Sequence, residues 1–305
     1  MHHRYAFILG ILSSACALDS ADNPGDELGE TEQDVNSFNG TSLNGTSLNG
    51  TSLNGTSLNG TSLNGTSLNG TSLNGTSISA NSTTGTPLSG TAMVGSKWTG
   101  TAANGATVNL RVDTALQGTA TNNDLWFYGV SYQTTTGWSP LCGLDGASVP
   151  IKAVTVAGVW SAVSGDSALY STSSTKFTFA CRGKTVAKCI ELGYKTFKGK
   201  TNQMVTCVRL LRGDYCGNGN AYTVDGTLLN LFDNVGVQAD TQAWHREAEW
   251  TMTGAKCVNS GTSARYDLQA GKDPKCVNKV VKTTSCAASF TTGPLTATLL
   301  IDELP

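Results

Sequence analysis

Five carboxylates gather in one stretch of this 305-residue chain: Asp214, Asp225, Asp233, Glu247 and Glu249. Two such groups hydrolyse bonds as acid and base when their surroundings push their pKa values apart. Sequence spacing supplies no such split, and acids at this density also serve turns and surfaces. Glu247 and Glu249 share one face if they lie on a regular strand. Asp214, Asn218, Asn220 and Asp225 crowd oxygen donors around Gly217 and Gly219, which suits Ca2+. The spacing of a calcium loop and its closing Glu are missing, and Asx turns use the same residue types. We therefore expect no cofactor, with Ca2+ at this run kept as the exception to test.

The thiols are the other reactive groups. Cys142, Cys181, Cys189, Cys207, Cys216, Cys257, Cys276 and Cys286 all lie after residue 140, in the Cys-rich part of the chain. A Cys nucleophile working with His245, the only His after residue 3, needs a free thiol of depressed pKa. A zinc site wants CxxC pairs with His nearby, and the sequence has no CxxC. An even number of Cys in an exported chain implies a disulfide framework whose connectivity the sequence leaves open. We expect four bridges, each contributing ~2–4 kcal/mol, and no metal ligands.

Export is read from the first residues. Arg4 and two His precede the apolar Tyr5 to Leu12, and the small Ser13, Ser14 and Ala15 precede Cys16. The segment resembles a bacterial lipoprotein signal, which implies a lipid on Cys16; the alternative is a plain secretory signal. Residues 17–35 hold seven acidic residues and no Lys or Arg, a composition that stays solvated as a tether. The whole chain has a net charge of -2 and only 14% charged residues. Residues 36–305 alone carry 19 Lys+Arg against 15 Asp+Glu, a net of +4. Such a balance argues against a dedicated nucleic-acid binder. No apolar run reaches the ~18 residues of a membrane-spanning helix.

From Asn36 to Gly105 the chain runs in a register of five, 14 units without a slip. Seven identical copies of TSLNG span Thr41 to Gly75. One large apolar group every fifth residue fits neither a helix nor a strand. It fits a square coil that turns one residue per side inward. The pattern resembles the pentapeptide-repeat family, which implies a short right-handed quadrilateral β-helix. At ~4.8 Å between rungs the stack is on the order of 15–20 Å tall. It needs capping, which Val108, Leu110 and Val112 directly after it are placed to supply. Lys97 is the only charged residue in the 70, so an acidic mimic of DNA is excluded.

The remainder reads as a disulfide-braced α+β domain rich in β. Strands are predicted over 125–132, 152–160, 176–181, 227–232, 248–252 and 295–301 from their β-branched and aromatic content. Thr185 to Leu192 and Gln203 to Arg212 read as helices that stop at Gly193 and Gly213. The run Arg212-Gly213-Asp214-Tyr215-Cys216-Gly217-Asn218-Gly219, then Thr223, Gly226, Thr227 and Asp233, resembles the hallmark of the ADYC-domain family, met in exported myxobacterial proteins. It departs from the family pattern at Gly213 for Ala and at Asn218 for Asp. The resemblance covers roughly 125–268. It implies fold and export and leaves the molecular activity open.

Arg182, Lys184, Lys188, Lys195, Lys198, Lys200, Arg209 and Arg212 stand against Glu191 alone. Two short helices and their loop could present this basic stretch to an anionic envelope glycan or lipid, an attraction that salt would weaken. The divisions expected are a signal over 1–15, an acidic tether over 16–35, the repeat β-helix over 36–105 and the Cys-rich domain over 106–305. We expect an exported, lipid-anchored protein of the outer membrane or cell surface, or otherwise a secreted one. Its expected role is a structural or binding module rather than an enzyme. The alternative is a secreted hydrolase using acids around Asp214 to Asp233. Oligomeric state stays open.

Overall fold

The computed structural model describes residues 36–38, 47–48, 51–57, 69–81, 85–102, 107–160, 170–172, 176–223, 225–259, 265, 276, 281–283, 286, 290 and 297–305. The expected signal, the tether and Cys16 lie outside the described residues. The first strands in chain order are β1 (Asn36–Phe38), β2 (Ser47–Leu48), β3 (Thr51–Ser57), β4 (Asn69–Asn74), β5 (Ser77–Asn81), β6 (Pro87–Ser89) and β7 (Lys97–Ala102). Then come β8 (Thr107–Gln117), β9 (Trp126–Thr134), β10 (Gly137–Pro140), β11 (Ala153–Ala157), β12 (Val159–Trp160), β13 (Tyr170–Ser171) and β14 (Lys176–Cys181). Two helices follow, α1 (Thr185–Glu191) and α2 (Thr201–Arg212). The chain closes with β15 (Leu228–Asp233), β16 (His245–Thr251), β17 (Gly254–Asn259), β18 (Val281–Thr283) and β19 (Leu300–Leu304).

Strand pairing closes a ring. β9, β11, β14, β3, β7 and β8 pair in that order, each antiparallel to the next, and β8 returns to β9. Closure removes the open edges that a sheet otherwise exposes. Period-two alternation then gives each strand an inner and an outer face. Trp98, Leu110, Val112, Tyr128, Val130, Phe177 and Phe179 form the interior, with Ile78 and Met93 joining them. Phe127, Val154, Val156 and Ala180, one residue out of phase, face the helices instead.

The second sheet runs β1-β15-β19-β16-β17-β18. All its pairs are antiparallel except β17 with β18. α1 packs on β14, and α2 packs on β16, β17 and β19. The helices therefore lie between the barrel and the second sheet. One continuous core holds Val186, Ile190, Met204, Val208 and Leu211 with Leu231, Trp250 and Leu300. α2 is amphipathic by sequence but buried along most of its length, which its neighbours on both sides explain. It stops at Gly213, which takes the left-handed conformation (φ +60°). Gly213 N–H donates to Leu210 O and Asp214 N–H to Arg209 O, the paired bonds of a Schellman cap.

The eight thiols form four disulfides: Cys142–Cys181, Cys189–Cys207, Cys216–Cys276 and Cys257–Cys286. The second ties α1 to α2, and the first holds β14 to the segment after β10.

Among the described residues the repeat does not pair as the rungs of a coil. β3 lies antiparallel between β14 and β7, and β4 lies antiparallel to β5. Lys97–Ala102, inside the register of five, is a stave of the barrel. The reason is edge satisfaction: β7 and β14 each leave a row of backbone donors and acceptors, and a repeat strand fills both. Leu110 and Val112 accordingly point into the barrel instead of capping a stack. The strand expected over 152–160 divides at Gly158 (φ +85°) into β11 and β12.

Candidate functional site

The motif lies where α2 ends against β16. Directly after the Schellman cap, Arg209 Nη1 pairs with Asp214 Oδ2, and both side chains are buried. Arg209 Nε donates to Met252 O at 2.5 Å. Asp214 also accepts from Asn218 N (3.0 Å) and Gly219 N (3.0 Å), while Arg212 Nη2 donates to Gly219 O (2.6 Å). The loop is thus wrapped around its own acid. Gly217 sits at φ +63°, and a Cβ there would collide with Thr253 O in the β16–β17 turn. That close approach explains the Gly of the Cys-Gly-Asn-Gly run.

Beneath the loop lies an ionic cluster. Tyr215 Oη donates to Glu247 Oε1. Glu247 further accepts from Arg265 N and Arg265 Nε, each at 2.7 Å. Arg265 Nη2 donates to Asp302 Oδ2 at 2.9 Å, and Trp250 Nε1 donates to Asp302 Oδ1 at 2.9 Å. Ala248 N donates to the same Oδ1 at 3.1 Å. The Tyr215 and Trp250 rings stack obliquely at 5.0 Å, and the Arg265 guanidinium lies 5.6 Å from the Trp250 ring. Glu247, Arg265 and Asp302 are all 0% exposed.

Two acids and one base leave one negative charge too many in a dry interior. Burial, the largest single influence, pushes Glu247 up, but the Arg265 charge and the hydrogen bonds from Asp302, Arg265 N and Tyr215 together hold its carboxyl below the ordinary range. Burial and the Glu247 charge together drive Asp302 well above that range. Burial, then Glu247, raises the Tyr215 hydroxyl as well. The two carboxyls are thus pushed apart, Glu247 toward its charged form beside Arg265 and Asp302 toward its neutral form, which offsets the excess charge. This is the split that acid–base catalysis asks for. Glu247, Arg265 and Asp302 are fully buried, however, so neither carboxyl faces solvent.

The other predicted acids are placed as follows. Glu249 does not share the Glu247 surroundings. A bulge between Arg246 and Ala248 breaks the alternation of β16, and Glu249 faces Thr298 and the Cys257–Cys286 bridge. Asp233 organises a turn: it accepts from Val235 N, Val237 N, Gln238 N and the Tyr194 hydroxyl. Asp225 is exposed. In the calcium run, Asp214 is occupied by Arg209 and the loop amides, and Asn218 Oδ1 accepts from Asn220 N as an Asx turn. Among the described residues one group of three metal-capable side chains converges, Glu249 with Cys257 and Cys286. Its two sulfurs are bonded to one another and offer no thiolate.

The basic stretch is largely engaged within the protein. Arg182 forks onto Glu191 and lies over the Phe127 ring. Lys195 and Lys198 both pair with Asp124, and Lys195 is buried. Arg209 and Arg212 are buried in the motif, and Lys188 is held below its ordinary pKa by burial. The residues that sequence reasoning missed are Arg265, Trp250 and Asp302. Asp302, an acid inside the apolar run LLIDEL, was the one visible signal.

A family model described as an ADYC domain matches residues 90–264, more than half of the chain. The chain belongs to the ADYC domain family. A second model, pentapeptide repeats in 8 copies, matches residues 37–75. No curated protein and no solved structure matches the chain. The ADYC match begins inside the register of five, before β7, so it takes in the last repeat units that build the barrel. Of the signature residues, Arg212, Asp214, Tyr215, Gly217, Gly219 and Thr223 are buried. Cys216, Thr227 and Asp233 are partly covered, and Gly226 is exposed. The ADYC signature in this chain is thus mainly a device for fastening α2 to the second sheet.

Proposed function

We propose that this chain is an exported cell-envelope protein whose ADYC domain acts as a structural or binding module. The observation that carries this reading is the sealed Glu247–Arg265–Asp302 cluster. The acids best poised for chemistry are fully withdrawn from solvent and serve as scaffold. The hydrolase alternative would have to work with Asp225 and Asp233, one exposed acid and one that closes a turn. Four disulfides are consistent with an oxidising compartment outside the cytoplasm. The small-residue segment before Cys16 supports a lipid anchor, and the acidic 17–35 supports a spacer between anchor and domain. The unbroken register of Thr41 to Gly75 is what supports a stacked coil in the part of the repeat outside the barrel.

An anionic partner remains part of the proposal, with Lys184, Lys198 and Lys200 as its outward contacts. A glycan and phospholipid array, run with the full chain at low and high salt, tests binding. Salt-sensitive retention on anionic members is expected, and no retention on any member would remove the binding role. Labelling with radioactive palmitate tests the anchor. Incorporation lost in Cys16→Ser is expected, and incorporation that persists in that variant would place the lipid elsewhere.

A further inference from the structure

We infer that the barrel position between β7 and β14 is an acceptor slot for the TSLNG repeat, open to the repeat of a second copy of this chain. The slot is filled by β3, whose Thr56 pairs with Phe177 of β14 and with Gly100 of β7. Withdrawal of β3 leaves two unpaired backbone edges. It also opens the wall beside Trp98 and Phe177, which meet edge to face at 6.2 Å inside the barrel. An empty slot is therefore costly, and some strand must occupy it.

The sequence does not single out which strand. TSLNGTS, the whole of β3, occurs seven times, starting at Thr41, Thr46, Thr51, Thr56, Thr61, Thr66 and Thr71. A shift of five residues returns the same residue to every place in the slot. Only the connecting lengths change, and doubling a loop costs about 0.6 kcal/mol. The two copies starting at Thr66 and Thr71 overlap β4, which pairs with β5, so five remain as interchangeable occupants. A neighbouring chain offers the same five. Exchange of an identical strand between copies is domain swapping, and it needs no new interface. Within one chain the tethered repeat competes at an effective concentration of order mM. Exchange in trans thus grows with crowding of chains.

The test uses the full chain in two variants, Thr56→Cys and Gly100→Cys, mixed at rising concentration under mild oxidation. Peptide mapping should find position 56 of one chain linked to position 100 of the other, in a fraction that rises with concentration. Light scattering on the unmodified chain should show dimers and larger species over the same range. A chain carrying both substitutions should also link internally. Internal linkage with no mixed linkage at any concentration would confine the slot to its own chain and overturn the inference. Failure of both would remove β3 from the slot altogether.

Interchangeability has its own readout. Leu53→Pro alone should change the folding equilibrium constant less than twofold, because another copy moves in. Leu→Pro in all seven copies should lower it more than tenfold. A single substitution as damaging as all seven would fix one copy in the slot and refute exchange.

Discussion

The Tyr215 hydroxyl donates a hydrogen bond to the Glu247 carboxylate across 32 residues of sequence. Through that bond the end of α2 is fastened to β16. Glu247 spends its remaining capacity on Arg265, so one carboxylate joins a helix terminus, a strand and the segment that carries Arg265. Breaking a buried pair strands the charge left behind, which costs more than the pair itself contributes. Glu247→Gln should therefore destabilise the domain by about 3–5 kcal/mol. Tyr215→Phe should cost less, about 1–3 kcal/mol, because Glu247 keeps its bonds from Arg265. Urea titrations of the two variants check the order.

The same cluster fixes the sign of a pH response. Asp302 is raised in the folded state, first by burial and then by Glu247. A raised acid contributes stability that is complete below its unfolded value and is lost as pH rises through its folded value. Glu247 is lowered from its ordinary 4.5, because the Arg265 charge and the hydrogen bonds it accepts together outweigh burial. Its contribution is present above that value and is lost as pH falls through the lower folded one. Unfolding free energies measured against pH should show both limbs. Asp302→Asn should flatten the loss on the alkaline side, and Glu247→Gln the loss on the acid side. Equal destabilisation of Asp302→Asn at every pH would contradict a raised Asp302 carboxyl.

How much of this was readable beforehand depends on range. Strand β14 and helices α1 and α2 were legible because their signals are local: β-branched runs, 3.6-residue spacing, and Gly213 as a stop. The disulfide state followed from the even count and the missing CxxC, while the pairing did not. β8 was missed because NLRVDTALQ mixes polar and apolar residues on both sides of a barrel wall. The role of Tyr215 was invisible, since its partners Glu247, Arg265 and Asp302 come from three distant segments. The repeat itself was legible, but the pairing of its described strands was not. Its period is unmistakable, but a period says nothing of which edges the strands find.

Gly217 offers a backbone test. It combines φ +63° with a position where a Cβ would strike Thr253 O. Left-handed strain on a non-Gly residue costs about 1–3 kcal/mol, and here the clash adds to it because backbone, not a movable side chain, lies opposite. Gly217→Ala should lose about 3 kcal/mol or more, whereas Gly226→Ala, also at positive φ (+87°) but with open space around it, should lose about 1–3 kcal/mol from strain alone. Thermal denaturation of both variants separates clash from strain.

The four bridges should not be equal. In the chain-entropy account the stabilisation grows with the logarithm of the loop closed. Cys189–Cys207 closes a separation of 18 residues and Cys216–Cys276 one of 60. The difference corresponds to about 1 kcal/mol at 25 °C in favour of the longer loop. The Cys216→Ala/Cys276→Ala pair should therefore unfold at lower denaturant than Cys189→Ala/Cys207→Ala. The shorter bridge has a compensating handicap for the experiment, since both its sulfurs are buried between α1 and α2 and their removal leaves a cavity. Replacing that pair with Val in place of Ala refills part of the space and isolates the loop effect. If the Val pair still unfolds first, packing between the helices outweighs loop entropy, and the anchoring of α1 on α2 becomes the leading contribution of that bridge.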